Sequence, residues 1–144
     1  MEISLFEKSD INDAAREQVA ALFRQLNPER EQLPLHELFE SDNPLTMACC
    51  RVDQAIVGMA LMCTYKVISG HKGWIEDVVV DEKMRGQGIG RKLVEKLLEV
   101  AREKQVSDVL LFTADHRKAA MHLYEKLGFQ PKGSHLYILK AIDF

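Results

Sequence analysis

The chain has 144 residues, of which 47% are hydrophobic and 28% charged, and its formal net charge is −3. This size and composition predict one globular domain, residues 1–144, with a core large enough to fold by itself. The slight negative charge provides no electrostatic reason to bind nucleic acid or an anionic membrane surface.

Segments for export or membrane insertion are not predicted. The first residues lack the basic and apolar regions of a secretory signal, and the apolar run Ala55 to Cys63 is about half of the roughly 20 residues that a membrane helix needs. Cys49, Cys50 and Cys63 are an odd set without a C-x-x-C pair, which favours reduced, buried thiols over disulfides. We therefore expect a soluble, cytoplasmic protein.

The first 80 residues read as two helices and four strands. One helix is predicted from a cap at Asp10 or Asn12 to about Leu26, and a shorter one from Leu33 to about Phe39. Apolar and alternating runs predict strands at Glu2–Phe6, Thr46–Val52, Ala55–Tyr65 and Trp74–Val80. A short turn at Asp53-Gln54 joins the second and third strands, and a loop at Ser69–Gly73 precedes the fourth. Antiparallel hairpins are expected before the next helix.

Residues 29–42 carry several acidic side chains against a single arginine, Arg30. Such a cluster is typical of a solvated helix face. It also fits an acidic entrance for a cationic substrate, and the sequence leaves both interpretations open.

The second half reads as a βαβα unit followed by a closing strand. A helix is predicted from about Gly88 to Lys104, and a buried strand at Ser107–Phe112 should lie parallel to the strand that ends at Val80. A last helix, capped by Asp115 and ending at Gly128, leads to a final strand. The last two elements are predicted at Arg117–Lys126 and His135–Ala141. This order predicts an α/β fold (α+β with a mixed sheet), a central antiparallel and parallel sheet flanked by about four helices.

A glycine-rich loop stands between the strand that ends at Val80 and the following helix, and it reads R-G-Q-G-I-G from Arg85 to Gly90. The first turn of a helix has unpaired N–H groups and a partial positive charge, and glycines let a phosphate approach the backbone closely. Arg85 and Arg91 add a cation on each side of the loop. The pattern predicts a ligand with a phosphate group, although a Gly-x-Gly turn alone could be purely structural.

Two common phosphate-binding motifs do not match this loop. The dinucleotide fingerprint G-x-G-x-x-G would need glycine where Arg91 stands, in the first strand–turn–helix unit of a domain. The triphosphate loop G-x-x-x-x-G-K-[ST] is not matched by Gly90-Arg91-Lys92-Leu93.

The remaining pattern resembles a known family. R-G-Q-G-I-G after V-V-V-D resembles the acetyl-CoA pyrophosphate signature (Q/R-x-x-G-x-G/A) of the GNAT acetyltransferase superfamily. The segment A-A-M-H-L-Y-E-K-L-G-F, Ala119 to Phe129, resembles that superfamily's other recognisable motif. The predicted order of elements is similar to a GNAT-like acyl-CoA N-acyltransferase fold along nearly the whole chain, and no subfamily is singled out.

The resemblance implies acetyl-CoA as cosubstrate and assigns residues to it. Backbone groups of the strand Val78, Val79 and Val80 would pair with the pantetheine arm, where GNAT sheets splay and often bulge. The loop and helix tip would hold the pyrophosphate with Arg85, Gly86, Gln87, Gly88, Ile89, Gly90 and Arg91. His116 stands where many GNATs have a polar residue before the last helix, and it would touch the pantetheine or cap the helix. No metal is implied.

Acetyl transfer to an amine requires a base for the amine, a donor for the developing oxyanion and an acid for the departing thiolate. The resemblance assigns the acid to Tyr124, whose place on an apolar stripe also fits a core tyrosine. Glu76 is the candidate base, or else a structural ion-pair partner; a backbone N–H near Val78 would face the oxyanion. On a straight strand Glu76 would share a side with Val78 and Val80, with Asp77 opposite unless a bulge shifts the register.

Other candidate groups are weaker. The five histidines show no metal-ligand spacing such as H-E-x-x-H. The cysteines lie in apolar strands and fit core positions better than acyl-carrying nucleophiles. Arg117 and Lys118 could meet cofactor phosphates or lie exposed at a helix start.

Three functions follow from the resemblance. The first is direct transfer of acetyl from acetyl-CoA to a primary amine of a small molecule. The second is acetylation of a protein lysine or N-terminal amine, and the third is a non-catalytic CoA-binding module. A homodimer is expected only because GNATs often form one.

Overall fold

A five-stranded sheet with the strand order β1-β2-β3-β4-β5 is the main element of the computed structural model, which describes residues 1–144. The first four strands pair antiparallel in chain order, and β5 lies parallel to β4. The strands are β1 Glu2–Phe6, β2 Leu45–Val52, β3 Ala55–Val67, β4 Gly70–Val80 and β5 Asp108–Leu111. The predicted mixed sheet and the parallel crossover from Val80 are confirmed.

Four α-helices accompany the sheet, as predicted. They are α1 Asp13–Leu26, α2 Leu35–Leu38, α3 Ile89–Glu103 and α4 Lys118–Lys126. Single 3₁₀ turns occur at Lys8–Asp10, Glu82–Met84 and Ala141–Asp143. None of the helices combines the length and apolar character that crossing a bilayer requires.

The chain divides into two compact units, residues 1–112 and residues 113–144, which are described separately. The sheet and helices α1 to α3 belong to the N-terminal unit, and α4 belongs to the C-terminal unit. The expectation of a single domain stays a prediction.

Helix α1 covers one face of the sheet. The Asn12 side chain accepts a hydrogen bond from the Ala15 amide (2.8 Å) and so caps the helix, which is one of the two predicted alternatives, Asp10 or Asn12. Its apolar stripe is buried in a cluster with residues of β1 to β4 and α2, namely Phe6, Ala15, Val19, Leu22, Leu35, Met47, Cys49, Ile56, Met59, Leu61 and Val79. Removing this apolar surface from water holds α1 against the strands.

Helix α3 packs against the neighbouring residues of the same strands. Met59 and Cys49 pair with each other and face α1. The adjacent pair, Gly58 and Cys50, therefore points to the opposite face of the sheet. A Cβ on Gly58 would lie 3.1 Å from side-chain carbons of both Ile89 and Leu93. The missing side chain therefore lets the first turns of α3 approach β3 closely.

Gly58→Val should destabilise the N-terminal unit because its side chain must displace Ile89 and Leu93 from a packed interface. Overpacking of this kind costs about 1–3 kcal/mol, which chemical denaturation followed by circular dichroism can measure. Gly133→Val is the control, since an added Cβ there meets nothing within 4 Å. Equal stability of the two variants would contradict the proposed close approach.

The turn between β2 and β3 is confirmed, but the loop before β4 is shorter than predicted. Asp53 and Gln54 have positive φ values of 50° and 70°, which suit a two-residue hairpin turn. Residues 70–73 lie in β4 instead of in a loop and pair with residues 64–67 of β3. Backbone pairing overrides the loop tendency of Gly70 and Gly73 there.

Two predictions for the C-terminal unit are wrong. Residues 135–141 form no strand, and Leu136, Tyr137, Ile138 and Leu139 are exposed, because no strand pairs with this segment. Asp115 does not cap α4, whose N-cap residue is Arg117 and whose cap lacks a side-chain hydrogen bond. The predicted end is confirmed: Gly128 has φ +97°, and the Phe129 amide donates to the Tyr124 carbonyl.

Candidate active site

A bulge interrupts β4 at Asp77. Met59 pairs with Val79 and Leu61 with Glu76, so Ala60 alone lies opposite two residues, Asp77 and Val78. Asp77 has φ +51°, a conformation that is costly for a residue with a side chain. The bulge shifts the register, so Glu76 shares the α1 face of the sheet with Val79 and not with Val78 and Val80.

The edge of β4 toward β5 is unpaired beyond Ile75. Strand β5 pairs with β4 only from Lys72 to Ile75, whereas pairing with β3 continues to Val80. Residues 76–80 therefore present one row of backbone amides and carbonyls without a strand partner. An extended ligand with amide groups can hydrogen-bond to such an edge as an added strand.

The glycine-rich loop joins this edge to α3. Gly86 and Gly88 have φ values of +83° and +78°, which only glycine adopts without strain. A Cβ built on either glycine would meet nothing within 4 Å, so the space above the backbone is open. The open space agrees with close approach of a ligand better than with a turn that is packed against protein.

The N-terminus of α3 lacks a protein partner for its first amides. Gly88 is the N-cap residue and provides no side-chain hydrogen bond, and no acidic residue occurs in the first turn. Unsatisfied N–H groups and the positive end of the helix dipole therefore face outward at Ile89, Gly90 and Arg91. The pyrophosphate of CoA fits this arrangement.

Both arginines beside the loop already have partners. The Arg85 Nε donates to the Val80 carbonyl (3.1 Å), a group that the resemblance gives to the pantetheine arm. The Arg91 Nε pairs with Glu95 Oε1 at 2.7 Å on the surface of α3. A carbonyl oxygen has two lone pairs, so the Val80 carbonyl can accept a second hydrogen bond from a ligand.

Glu76 and Asp77 form an acidic pair at the bulge. Although both side chains are solvent-exposed, loss of hydration next to the protein raises the pKa of each carboxyl. The charge of Asp77 further raises the pKa of Glu76, while Arg30 lowers the pKa of both. A glutamate with a raised pKa is a better proton acceptor than an ordinary one.

Cys63 lies on the same face as this pair, opposite Trp74 in the register. Burial raises the pKa of its thiol, and Glu76 and Asp77 raise it further. Burial also raises the pKa of Cys49 and Cys50. Protonated thiols are poor nucleophiles, so these groups fit core positions as predicted.

Tyr124 and His116 lie in the C-terminal unit. Tyr124 is buried on α4, with its ring 5.9 Å from that of Phe129 in an edge-on contact. Burial raises the pKa of its hydroxyl and the charge of Arg117 lowers it. His116 is exposed and does not cap α4. The acid role of Tyr124 and the pantetheine contact of His116 stay predictions.

Sequence reasoning did not connect Arg30 with the acidic pair, although its charge lowers the pKa of both carboxyls. Arg30 stands in an acidic segment far from β4 in the chain, and no local pattern connects it with Glu76. On a straight strand Asp77 would lie opposite Glu76, and the bulge breaks this alternation. The resemblance implies a splay and often a bulge at this strand, but no residue pattern places the bulge at Asp77.

The splayed edge and the uncapped, glycine-rich helix tip offer unpaired backbone groups to an extended ligand that carries a phosphate. Residues 12–129 match the acetyltransferase (GNAT) family. The chain belongs to this family.

Curated relatives resemble only part of the chain. It is 41% identical over 76 residues to the thialysine N-epsilon-acetyltransferase of Bos taurus, covering 52% of this chain and 45% of that protein. It is 41% identical over 85 residues to the glucosamine 6-phosphate N-acetyltransferase of Trypanosoma brucei brucei, covering 57% and 56%. The chain thus spans about half the length of the curated relatives that it matches.

A solved structure resembles nearly the whole fold. An aminoglycoside acetyltransferase from an uncultured soil metagenomic sample superposes with a TM-score of 0.80, covering 96% of this chain and 95% of its own. At 19% identity this similarity establishes the GNAT fold alone.

Proposed function

We propose that this chain is an acetyl-CoA-dependent N-acetyltransferase that transfers acetyl directly to a primary amine of a small molecule. The observation that carries the proposal is the continuous path from the unpaired edge of β4 to the uncapped tip of α3. An amide-containing arm and a pyrophosphate need these two features in this order. The names of the two curated relatives support a small amine as acceptor.

In the proposed reaction Glu76 accepts a proton from the acceptor amine, directly or through water, so that the nitrogen lone pair can attack the acetyl carbonyl. A backbone N–H near Val78 donates to the carbonyl oxygen as its charge grows. Tyr124 donates its proton to the sulfur when the C–S bond breaks, and its raised pKa keeps the hydroxyl protonated beforehand. The new C–N bond and the free thiol complete the balance.

Calorimetric titration with acetyl-CoA and a thiol-release assay across amino sugars, polyamines, amino acids, aminoglycosides and peptides test the proposal. Binding of acetyl-CoA and release of CoA with a small amine are expected. Acetylation of peptides alone would favour a protein acetyltransferase, and binding without any thiol release would favour a CoA-binding module. Absence of acetyl-CoA binding would reject the cofactor assignment.

Glu76→Gln should lower kcat/KM about 100-fold, which is within the usual contribution of a general base. Because the pKa of Glu76 is raised, wild-type kcat/KM should begin to fall with decreasing pH at pH values above the usual pKa of a glutamate. The variant should lose this acidic limb. Glu17→Gln, on the exposed face of α1, is the control. An unchanged pH profile in Glu76→Gln would leave Glu76 with a structural role.

A further inference from the structure

The short segment between the open edge of β4 and the glycine-rich loop is held by a set of backbone hydrogen bonds. The Asp81 amide donates to the Val57 carbonyl of β3 (2.8 Å). The Lys83 amide donates to Asp81 Oδ1 (2.9 Å), and the Met84 amide donates to the Asp81 carbonyl (2.8 Å). The segment and its strand neighbour therefore pair every amide from 81 to 84 except that of Glu82.

The Glu82 amide is paired by helix α1. It donates to the side-chain Oε1 of Gln25 at 3.0 Å. Gln25 stands three residues after Leu22, which is buried against the sheet, so the packing of α1 determines the point from which the Gln25 side chain reaches out. Helix α1 thus contributes a contact that fixes the chain just before the glycine-rich loop.

The loop and the helix tip beyond this segment have free amides. The first backbone hydrogen bond of α3 runs from the Lys92 amide to the Gly88 carbonyl (3.1 Å), so the amides of Ile89, Gly90 and Arg91 remain for a ligand. An anion binds more tightly to amides that are already in place, because fixing the backbone of a mobile residue costs about 1–2 kcal/mol. A fixed start of the loop reduces this cost.

We propose that Gln25 is a positioning residue for the cofactor loop. Its side chain holds the Glu82 amide, and through it the start of the glycine-rich loop, in the conformation that binds the pyrophosphate of acetyl-CoA. This inference rests on the proposed function. Gln25 acts through the backbone of Glu82 and takes no part in acetyl transfer.

Gln25→Met should raise the Kd of acetyl-CoA about fivefold, which corresponds to one net hydrogen bond. Methionine keeps the length and the helix propensity of glutamine but lacks the oxygen acceptor, and the side chain is exposed, so the fold is retained. Calorimetric titration measures the affinity. In the unliganded protein, hydrogen exchange followed by NMR should show faster exchange of the Glu82 amide.

Gln18→Met is the matched control. Gln18 lies about two turns earlier on α1, and its Oε1 accepts a hydrogen bond from the Ile56 amide of β3 at 2.9 Å. The variant loses the same kind of contact between α1 and the backbone of the sheet. Its Ile56 amide should exchange faster, while its affinity for acetyl-CoA should stay at the wild-type value.

Steady-state kinetics separate an effect on the loop from a general effect on the site. With one amine acceptor, Gln25→Met should raise KM for acetyl-CoA about fivefold and leave kcat nearly unchanged. S-acetylpantetheine carries the thioester and the amide arm but no pyrophosphate. Its kcat/KM should therefore be the same in Gln25→Met and in the wild type.

Three results would overturn the inference and leave the proposed function intact. They are an unchanged Kd of acetyl-CoA in Gln25→Met, an equal rise of this Kd in Gln18→Met, and an equal loss of kcat/KM with S-acetylpantetheine. Unchanged exchange of the Glu82 amide would also overturn it. Failure of the wild type to bind acetyl-CoA would instead reject the proposed function, and the inference with it.

Discussion

Gly88→Gln should weaken acetyl-CoA binding roughly 100-fold or more while the chain stays folded. Gly88 has φ +78° and caps α3, and a Cβ there would project into the open space above the helix tip. A side chain in that space would keep a pyrophosphate away from the first amides, where charge-assisted hydrogen bonds are strongest. Calorimetric titration of the variant with acetyl-CoA measures the loss.

The control for Gly88→Gln must carry the same backbone strain elsewhere. Gly128 has φ +97°, and an added Cβ there also meets nothing within 4 Å. Gly128→Gln should therefore lose a similar stability, about 1–3 kcal/mol, and keep its affinity for acetyl-CoA. Normal binding by Gly88→Gln, or an equal loss in both variants, would contradict the assignment of the helix tip to the pyrophosphate.

Tyr124→Phe should lower kcat about 100-fold and change the affinity for acetyl-CoA less than twofold. The substitution removes only the hydroxyl, so the edge-on contact with Phe129 and the apolar packing are retained. A proton donor to the departing sulfur contributes to the chemical step and not to cofactor binding. Steady-state kinetics and calorimetry on the same preparation separate the two effects.

Thermal unfolding of Tyr124→Phe distinguishes catalysis from packing. A catalytic tyrosine predicts a large loss of kcat at a nearly unchanged Tm. An unchanged kcat, whatever the Tm, would return Tyr124 to the core position that its apolar stripe also allows. Phe129→Leu, which removes the ring contact but keeps the hydroxyl, should show the reverse pattern, with a lower Tm and a nearly normal kcat.

The loop and the helix on which the cofactor prediction depends can be predicted from residues that are close together in the chain. Glycines in the loop correspond to positive φ at Gly86 and Gly88, and the apolar periodicity after them corresponds to the buried stripe of α3. Both signals arise from neighbours in the chain, since a turn conformation and a helix period involve only a few residues. The same holds for the Asn12 cap and the Asp53-Gln54 turn.

Two predictions that depend on strand pairing between distant parts of the chain are wrong. His135–Ala141 contains the continuous apolar run Leu136–Leu139 and is predicted as a strand, but a strand requires a paired neighbour, and the segment has none. Residues 70–73 look like a loop, yet pairing with β3 extends β4 through them. Strand formation depends on which edges meet, and an apolar run alone does not specify that.

The family pattern, the phosphate-type loop and the order of elements from β1 to α4 follow from the sequence, because they depend on residue types at short spacing. The bulge of β4 at Asp77 and the end of its pairing with β5 at Ile75 are evident only in the folded structure. These features arise where strands separate and distant segments pack together. Their energies depend on contacts across the fold, so no short stretch of residues can encode them alone.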